Sequence, residues 1–174
     1  MIILLIDVVG YSGSGKTLFI TNAIKLLRKK LNCNISVIKN IKHHPVDEMG
    51  KDSYSFTKAG AIYSVIQNKY HETAIFVKTE ENKLEQLLKW LQSGPIKLDL
   101  IFTEGFRSLN NPTVLCISDL KEIKEQLTEN VKMISGIICS KKPIKKSVYN
   151  IPIIDIESQF STFLNLFNIF PKRS

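Results

Sequence analysis

Gly10-Tyr-Ser-Gly-Ser-Gly-Lys-Thr17 fits the pattern of a glycine, four arbitrary residues and then Gly-Lys-Thr, and what stands on either side of it decides the fold. The run before it, Met1 to Val9 (Met-Ile-Ile-Leu-Leu-Ile-Asp-Val-Val), is apolar at nearly every position, as expected of a parallel strand buried on both faces. After it, Leu18, Phe19, Ile20, Ala23, Ile24, Leu26, Leu27 and Leu31 recur at helical spacing. A strand, a glycine-rich turn and a helix N-terminus in that order form a phosphate cradle, because the backbone N–H groups of the turn converge and the helix dipole favours an anion. Gly10, Gly13 and Gly15 keep side chains out of the way, Ser14 lies between them, Lys16 can neutralise β- and γ-phosphates, and the Thr17 hydroxyl can ligate a bridging magnesium ion.

The rest of the chain alternates strands and helices. Ile35 to Lys39 reads as a second strand, Tyr54 to Ala59 as a short helix, and Ile62 to Gln67 and Thr73 to Lys78 as two strands of one antiparallel region. Asn82 to Gln92 is an amphipathic helix through Leu84, Leu87, Leu88 and Leu91, ended by Gly94-Pro95. Leu98 to Thr103 is a buried strand, followed by strands at Thr113 to Ile117 and Met133 to Cys139, a helix at Leu120 to Thr128, and a closing Ile151 to Ile156 strand and Phe160 to Phe170 helix. The pattern predicts an α/β fold of the three-layer phosphate-loop type, a mostly parallel sheet with helices on both faces and an antiparallel hairpin extension.

At 174 residues, 44% hydrophobic and 23% charged, the chain has the length and composition of one globular domain. Asp7 interrupts the apolar start too early for a membrane span or a signal-peptide core, so the expectation is a cytoplasmic protein without a membrane partner. Cys33, Cys116 and Cys139 are widely spaced and read as buried free thiols. The net charge of +8 comes with 21 lysines among 24 basic residues, spread along the chain and not interleaved with aromatics; this favours a solvated, anion-attracting surface over a nucleic-acid partner.

A magnesium-dependent phosphate site needs a carboxylate at the tip of a neighbouring strand. Glu104 ends the Leu98 to Thr103 strand at the edge where open α/β sheets bind ligands, whereas Asp99 lies at the opposite end. The polar stretch from Asn40 to Ser53 carries Lys42, His43, His44, Asp47, Lys51 and Asp52, and a loop of that length is either functional or disordered. Two adjacent histidines do not make a zinc site, and a γ-phosphate-sensing loop suits these residues better, with Asp47 or Asp52 orienting water or magnesium.

Gly50-Lys-Asp-Ser-Tyr54, Lys58-Ala-Gly-Ala61 and Leu98-Asp-Leu-Ile-Phe-Thr-Glu-Gly-Phe-Arg107, together with the phosphate loop and in this order, resemble the MobB family of molybdopterin guanine dinucleotide biosynthesis. The resemblance covers residues 1–107 and continues weakly through Ile137 to Ser140 and Pro152 to Asp155. It implies a homodimeric GTP-binding adapter of low turnover that helps a guanylyltransferase attach GMP to molybdopterin, with GTP and magnesium as ligands. On matching positions it assigns nucleotide binding to Gly13, Ser14, Gly15, Lys16 and Thr17, and magnesium-linked or catalytic roles to Glu104 and Asp52. Asn40 stands where the family often has histidine, and Lys141 where it commonly has aspartate.

Two other readings share the loop. A nucleoside or small-molecule kinase would need several arginines, yet there are only Arg28, Arg107 and Arg173, and of these only Arg107 is well placed, where it would serve equally to bind an anionic pterin phosphate. A metal-insertion GTPase would use His43 and His44. No Asn-Lys-x-Asp element reads guanine, so the base preference follows from the resemblance. The apolar stretches Ile62 to Ile66 and Ala74 to Val77 suit a strand-mediated dimer.

Overall fold

The computed structural model describes residues 3–77, 84–141 and 146–170. They gather into two compact units, one formed by Met1–Asn40 with Pro95–Ser174 and the other by Ile41–Gly94.

The first unit is built on a five-stranded parallel sheet. Its strands are β1 (Leu4–Val9), β2 (Ile35–Lys39), β5 (Leu100–Glu104), β6 (Thr113–Cys116) and β7 (Val131–Ser135), in the spatial order β2-β5-β1-β6-β7. The central strand is therefore the one that feeds the Gly10 loop. Side chains alternate across the sheet: Ile6, Val8, Leu100, Phe102, Val114 and Cys116 point to one face, where α1 (Lys16–Leu31) and α5 (Phe160–Leu166) cover them. Phe19 of α1 meets Phe102 edge-on at 6.4 Å and Phe163 of α5 at 6.0 Å, so three aromatic rings pin both helices to the sheet. Val9, Leu115, Ile117 and Ile134 fill the opposite face with Ile123 of the one-turn helix α4 (Ile123–Gln126). These are the three layers that the sequence predicts. Asn32, in the left-handed region at φ 49°, ends α1 by donating its N–H to the Arg28 carbonyl.

The second unit holds the other named elements. Helix α2 (Asp52–Lys58) packs on an antiparallel hairpin of β3 (Tyr63–Gln67) and β4 (Thr73–Val77), and α3 (Leu84–Gln92) follows. The expected hairpin is present. Ile62, Tyr63, Val65, Ile66, Ile75 and Val77 are exposed on it, whereas Ser64 is buried. Lys78 and the start of the Asn82 to Gln92 helix lie outside the described residues.

Several expected boundaries need correction. The Leu120 to Thr128 helix is a three-residue 3-10 turn (Leu120–Glu122) leading into α4, and it starts from an Asp119 capping box in which Asp119 Oδ1 accepts the Lys121 N–H at 2.9 Å. The Met133 to Cys139 run stops as a strand at Ser135, because Gly136 turns the chain at φ 96°, ψ −154° into the 3-10 turn Ile137–Ser140. The expected Ile151 to Ile156 strand is a two-residue pairing of β9 (Ile151–Pro152) with β8 (Ser147–Val148), plus one parallel bridge from Ile153 to Ile134. The last helix ends at Leu166, before Asn168 at φ 53°. The expected Leu98 to Thr103 strand runs from Leu100 to Glu104, which ends it.

Cys33 and Cys116 are buried and Cys139 is half-buried, and none of the three is in a disulfide. Burial pushes the Cys116 thiol far above its ordinary range, and a smaller desolvation raises that of Cys139. Both are correspondingly poor nucleophiles. Among the described residues no helix is long and apolar enough to cross a membrane.

Candidate phosphate site

The loop between β1 and α1 is seated from below by two other chain segments. Ile137 N–H donates to the Ser14 carbonyl at 3.0 Å, and Ile138 N–H donates to Ile117 O at 3.0 Å, which ties the turn after β7 to the end of β6. Gly10 lies so close to β6 that a Cβ there would stand 2.1 Å from the Cys116 carbonyl oxygen. The loop is thus held by backbone contacts and its inner surface stays open.

That surface is short of internal partners. Gly15 starts α1 with no side-chain cap, so the first N–H groups of the helix have no side-chain acceptor. Ser14 is 1% exposed and its hydroxyl has no partner among the described residues. Lys16 folds back, its Nζ donating to the carbonyls of Gly10 at 3.0 Å and Tyr11 at 2.7 Å. The Ser14 hydroxyl and the uncapped N–H groups are the unfilled donors expected of an anion cradle, with the Lys16 ammonium held beside them by the loop's own carbonyls.

Glu104 completes the site from β5. Its Oε1 and Oε2 accept from the Thr17 hydroxyl at 3.2 and 3.4 Å, and Lys39 Nζ lies 3.3 Å from Oε1. Glu104 is buried while Lys39 is half-exposed. An open depression of about 320 Å³ runs between these groups, with Gly13, Lys16, Thr17, Lys39 and Glu104 on its walls. Oxygen donors from Thr17 and Glu104 side by side match the hard-cation preference of magnesium, which takes one or two protein oxygens and completes its shell with water and phosphate.

Other predicted residues fall elsewhere. Asn40 follows β2, and its backbone N–H donates to the Glu104 carbonyl at 2.9 Å. Asp52 is the exposed first residue of α2 in the second unit, where Asp47 Oδ1 accepts the Ser53 hydroxyl at 2.8 Å. His43 and His44 are exposed in that unit, with His44 Nδ1 2.9 Å from the Pro45 carbonyl oxygen. Among the described residues no three His, Cys, Asp or Glu side chains cluster to hold a metal. Arg107 does not line the phosphate depression; its Nη2 donates to Gln126 Oε1 at 2.9 Å and its guanidinium lies 5.3 Å from the centre of the Tyr11 ring. Asp99 accepts the Asn34 N–H at 2.7 Å at the far end of β5.

Two residues of the site escaped the sequence reading. Lys39 ends β2 directly opposite Glu104 in the β2–β5 register, a pairing visible only once those strands are known to be neighbours. Gly136 supports the loop from β7, and only its glycine identity inside an apolar run hinted at it.

A parallel three-layer α/β domain with a Gly-x4-Gly-Lys-Thr loop after its central strand, and an acid at the tip of the next strand, is the class that fold and site define. The family model described as molybdopterin guanine dinucleotide synthesis protein B, MobB, matches residues 5–140, and the chain belongs to that family. Among similar proteins, the molybdopterin-guanine dinucleotide biosynthesis adapter of Escherichia coli is 28% identical over 149 residues, 84% of this chain and 83% of that protein. The corresponding adapter of Haemophilus influenzae is 34% identical over 113 residues, 64% of this chain and 61% of its own. A Methanocaldococcus jannaschii relative is 33% identical over 134 residues, and the chain spans about half of its length, 53%. The fold matches the crystal structure of Bacillus subtilis MobB with a TM-score of 0.73 at 23% identity, over 94% of this chain and 96% of that one. A MobB homologue from Bacillus stearothermophilus gives 0.65 at 18%, over 94% and 95%.

Proposed function

We propose that this chain is a cytoplasmic, homodimeric GTP-binding adapter of molybdopterin guanine dinucleotide biosynthesis, a slow magnesium-dependent GTPase that assists a partner guanylyltransferase as GMP is attached to molybdopterin. The observation that carries the nucleotide half is the juxtaposition of Thr17 and Glu104 beside an uncapped helix N-terminus with Lys16 at its first position. Membership of the MobB family, and the adapter role named for its relatives, support the other half.

In this reading the loop N–H groups and the Ser14 hydroxyl hold the β-phosphate, and Lys16 leaves the Gly10 and Tyr11 carbonyls for the β- and γ-oxygens. Thr17 and Glu104 would hold magnesium, which would supply charge neutralisation for the phosphates. Lys39, already paired with Glu104, supplies a second positive charge at the rim. Slow turnover fits the arginines: Arg107 is engaged by Gln126 and Tyr11, and Arg28 donates to Cys33 O and Asn34 Oδ1, so neither serves as a finger for the transition state. The same placement weakens a two-substrate kinase reading. The exposed apolar hairpin of β3 and β4 supports self-association through its strands.

The adapter role predicts that adding this chain and GTP to a molybdenum cofactor guanylyltransferase raises the rate of molybdopterin guanine dinucleotide formation several-fold. The check is product quantified by chromatography at limiting transferase. Phosphoryl transfer from GTP to a small acceptor, with no effect on the transferase, would overturn the reading in favour of a kinase.

A further inference from the structure

A single acidic residue interrupts the apolar β1 strand: Asp7. Its side chain is 1% exposed. Oδ1 accepts from the Thr103 hydroxyl at 2.5 Å and the Asn111 amide at 3.2 Å, but Oδ2 has no partner, and no lysine or arginine pairs with it among the described residues. Strand pairing sets Thr103 and Thr113 on either side of it, a polar row across three strands on a face that otherwise carries Val9, Leu115 and Ile117. A carboxylate buried without a counter-charge is costly, and such local inconsistency in an otherwise well-patterned sheet is where function is expected.

A cavity of about 260 Å³ lies over Asp7, with Thr113, Leu109, Gln126 and Arg107 also on its walls. Gln126 is 4% exposed. Its Oε1 accepts from Arg107, which leaves the buried Nε2 without an acceptor. Asp7, Gln126 and Arg107 thus line one cavity, and the first two each hold a buried polar atom, Oδ2 and Nε2, that lacks a partner among the described residues. A phosphate would be repelled by Asp7 and by Glu129, which also lines the cavity, and a simple amine cation would meet Arg107 and leave the Gln126 donor unmatched. A neutral ring edge with an N–H beside a carbonyl satisfies both orphans. The volume is just under the roughly 300 Å³ at which drug-sized pockets begin, room for one flat ring system and not for a whole nucleotide.

We propose that this cavity is a second ligand site, distinct from the phosphate depression, that takes the amino-lactam edge of a flat heterocycle, a pterin ring in the role proposed above, on which this choice of ring rests. Asp7 accepts the ring N–H, Gln126 donates to its carbonyl, and Arg107 closes the rim. The same Arg107 lies over the ring of Tyr11, whose hydroxyl donates to Glu125 Oε2 at 2.8 Å, so the rim of this cavity is built onto the phosphate loop itself.

The test is a fluorescence titration of the intact chain with 6-hydroxymethylpterin, which carries no phosphate, and with guanosine, which shares the lactam edge. Saturable one-to-one pterin binding is expected. Asp7→Asn, which sets an amide N–H against the ring N–H, should weaken it at least tenfold, whereas Lys16→Ala should leave it unchanged while losing triphosphate, so failure here and failure of the nucleotide site are told apart. Should Asp7→Asn not fold by thermal melting, Gln126→Glu, which puts an acceptor where the carbonyl needs a donor, should weaken pterin to a similar degree. Guanosine bound in place of pterin and lost in these variants would support the lactam site and overturn its pterin assignment. No saturable binding of either ring, or equal affinity in wild type and variants, would overturn the site.

Discussion

Replacing Lys16 with alanine is expected to weaken binding of magnesium-bound GTP by about a hundredfold or more while leaving the fold intact. The size follows from the contacts. Lys16 is the loop's own cation, and one or two charge-assisted hydrogen bonds to phosphate amount to about 3 kcal/mol, each 1.4 kcal/mol being tenfold in affinity. The intact fold follows from what Lys16 now touches, the Gly10 and Tyr11 carbonyls at the edge of the depression and nothing in the core. Calorimetric titration together with a thermal melt checks both halves. Unchanged affinity would remove the phosphate function from the loop, and a collapsed melting temperature would make Lys16 a structural residue.

Gly136→Ala is expected to give the largest loss of stability of any change near the site that leaves the loop sequence untouched. At φ 96°, ψ −154° the residue sits in a region that is essentially reserved for glycine. Space is lacking as well: a Cβ would stand 2.2 Å from the Ser14 carbonyl oxygen and 3.1 Å from the Cys116 Cβ. Either the turn after β7 must move, breaking the Ile137–Ser14 bond, or the loop must move off β6. Backbone strain and the displaced contacts together are expected to cost about 3 kcal/mol or more, near 10 °C in melting temperature for a chain of this size. Triphosphate affinity should fall with it, since the Ser14 peptide is part of the cradle. Urea denaturation measures the first effect and GTP titration well below the midpoint the second. A wild-type midpoint would show that the loop does not depend on this support.

These two residues mark what the sequence made legible. The place of Lys16 could be read at once because it is set locally: strand, turn and helix are consecutive, and their periodicities stand on either side of the motif. Glu104 was nearly as plain, since the apolar run of β5 fixes which end its carboxylate occupies. Gly136 and Lys39 were hidden because their roles depend on which strands are neighbours. The order β2-β5-β1-β6-β7 sets Lys39 opposite Glu104 and brings the turn after β7 under Ser14, and hydrophobic patterning carries no record of that order. The overlong expectations after residue 117 share one cause. Apolar runs extend past the points where Asp119, Gly136 and Asn168 end or begin regular structure, so backbone chemistry at single residues overrode the hydrophobic pattern. Asp7 was read as no more than an interruption of the apolar start. Only the sheet pairing showed it to be a buried carboxylate set between two threonines.

The measurement closest to the central claim is a competition titration of the wild-type chain with GTP and ATP, with and without magnesium. One GTP per chain is predicted, bound more tightly than ATP and weakened when magnesium is withheld, because the proposed role of Thr17 and Glu104, which lie together in the structure, is to hold that ion. Equal binding of both nucleotides, or binding indifferent to magnesium, would contradict the account.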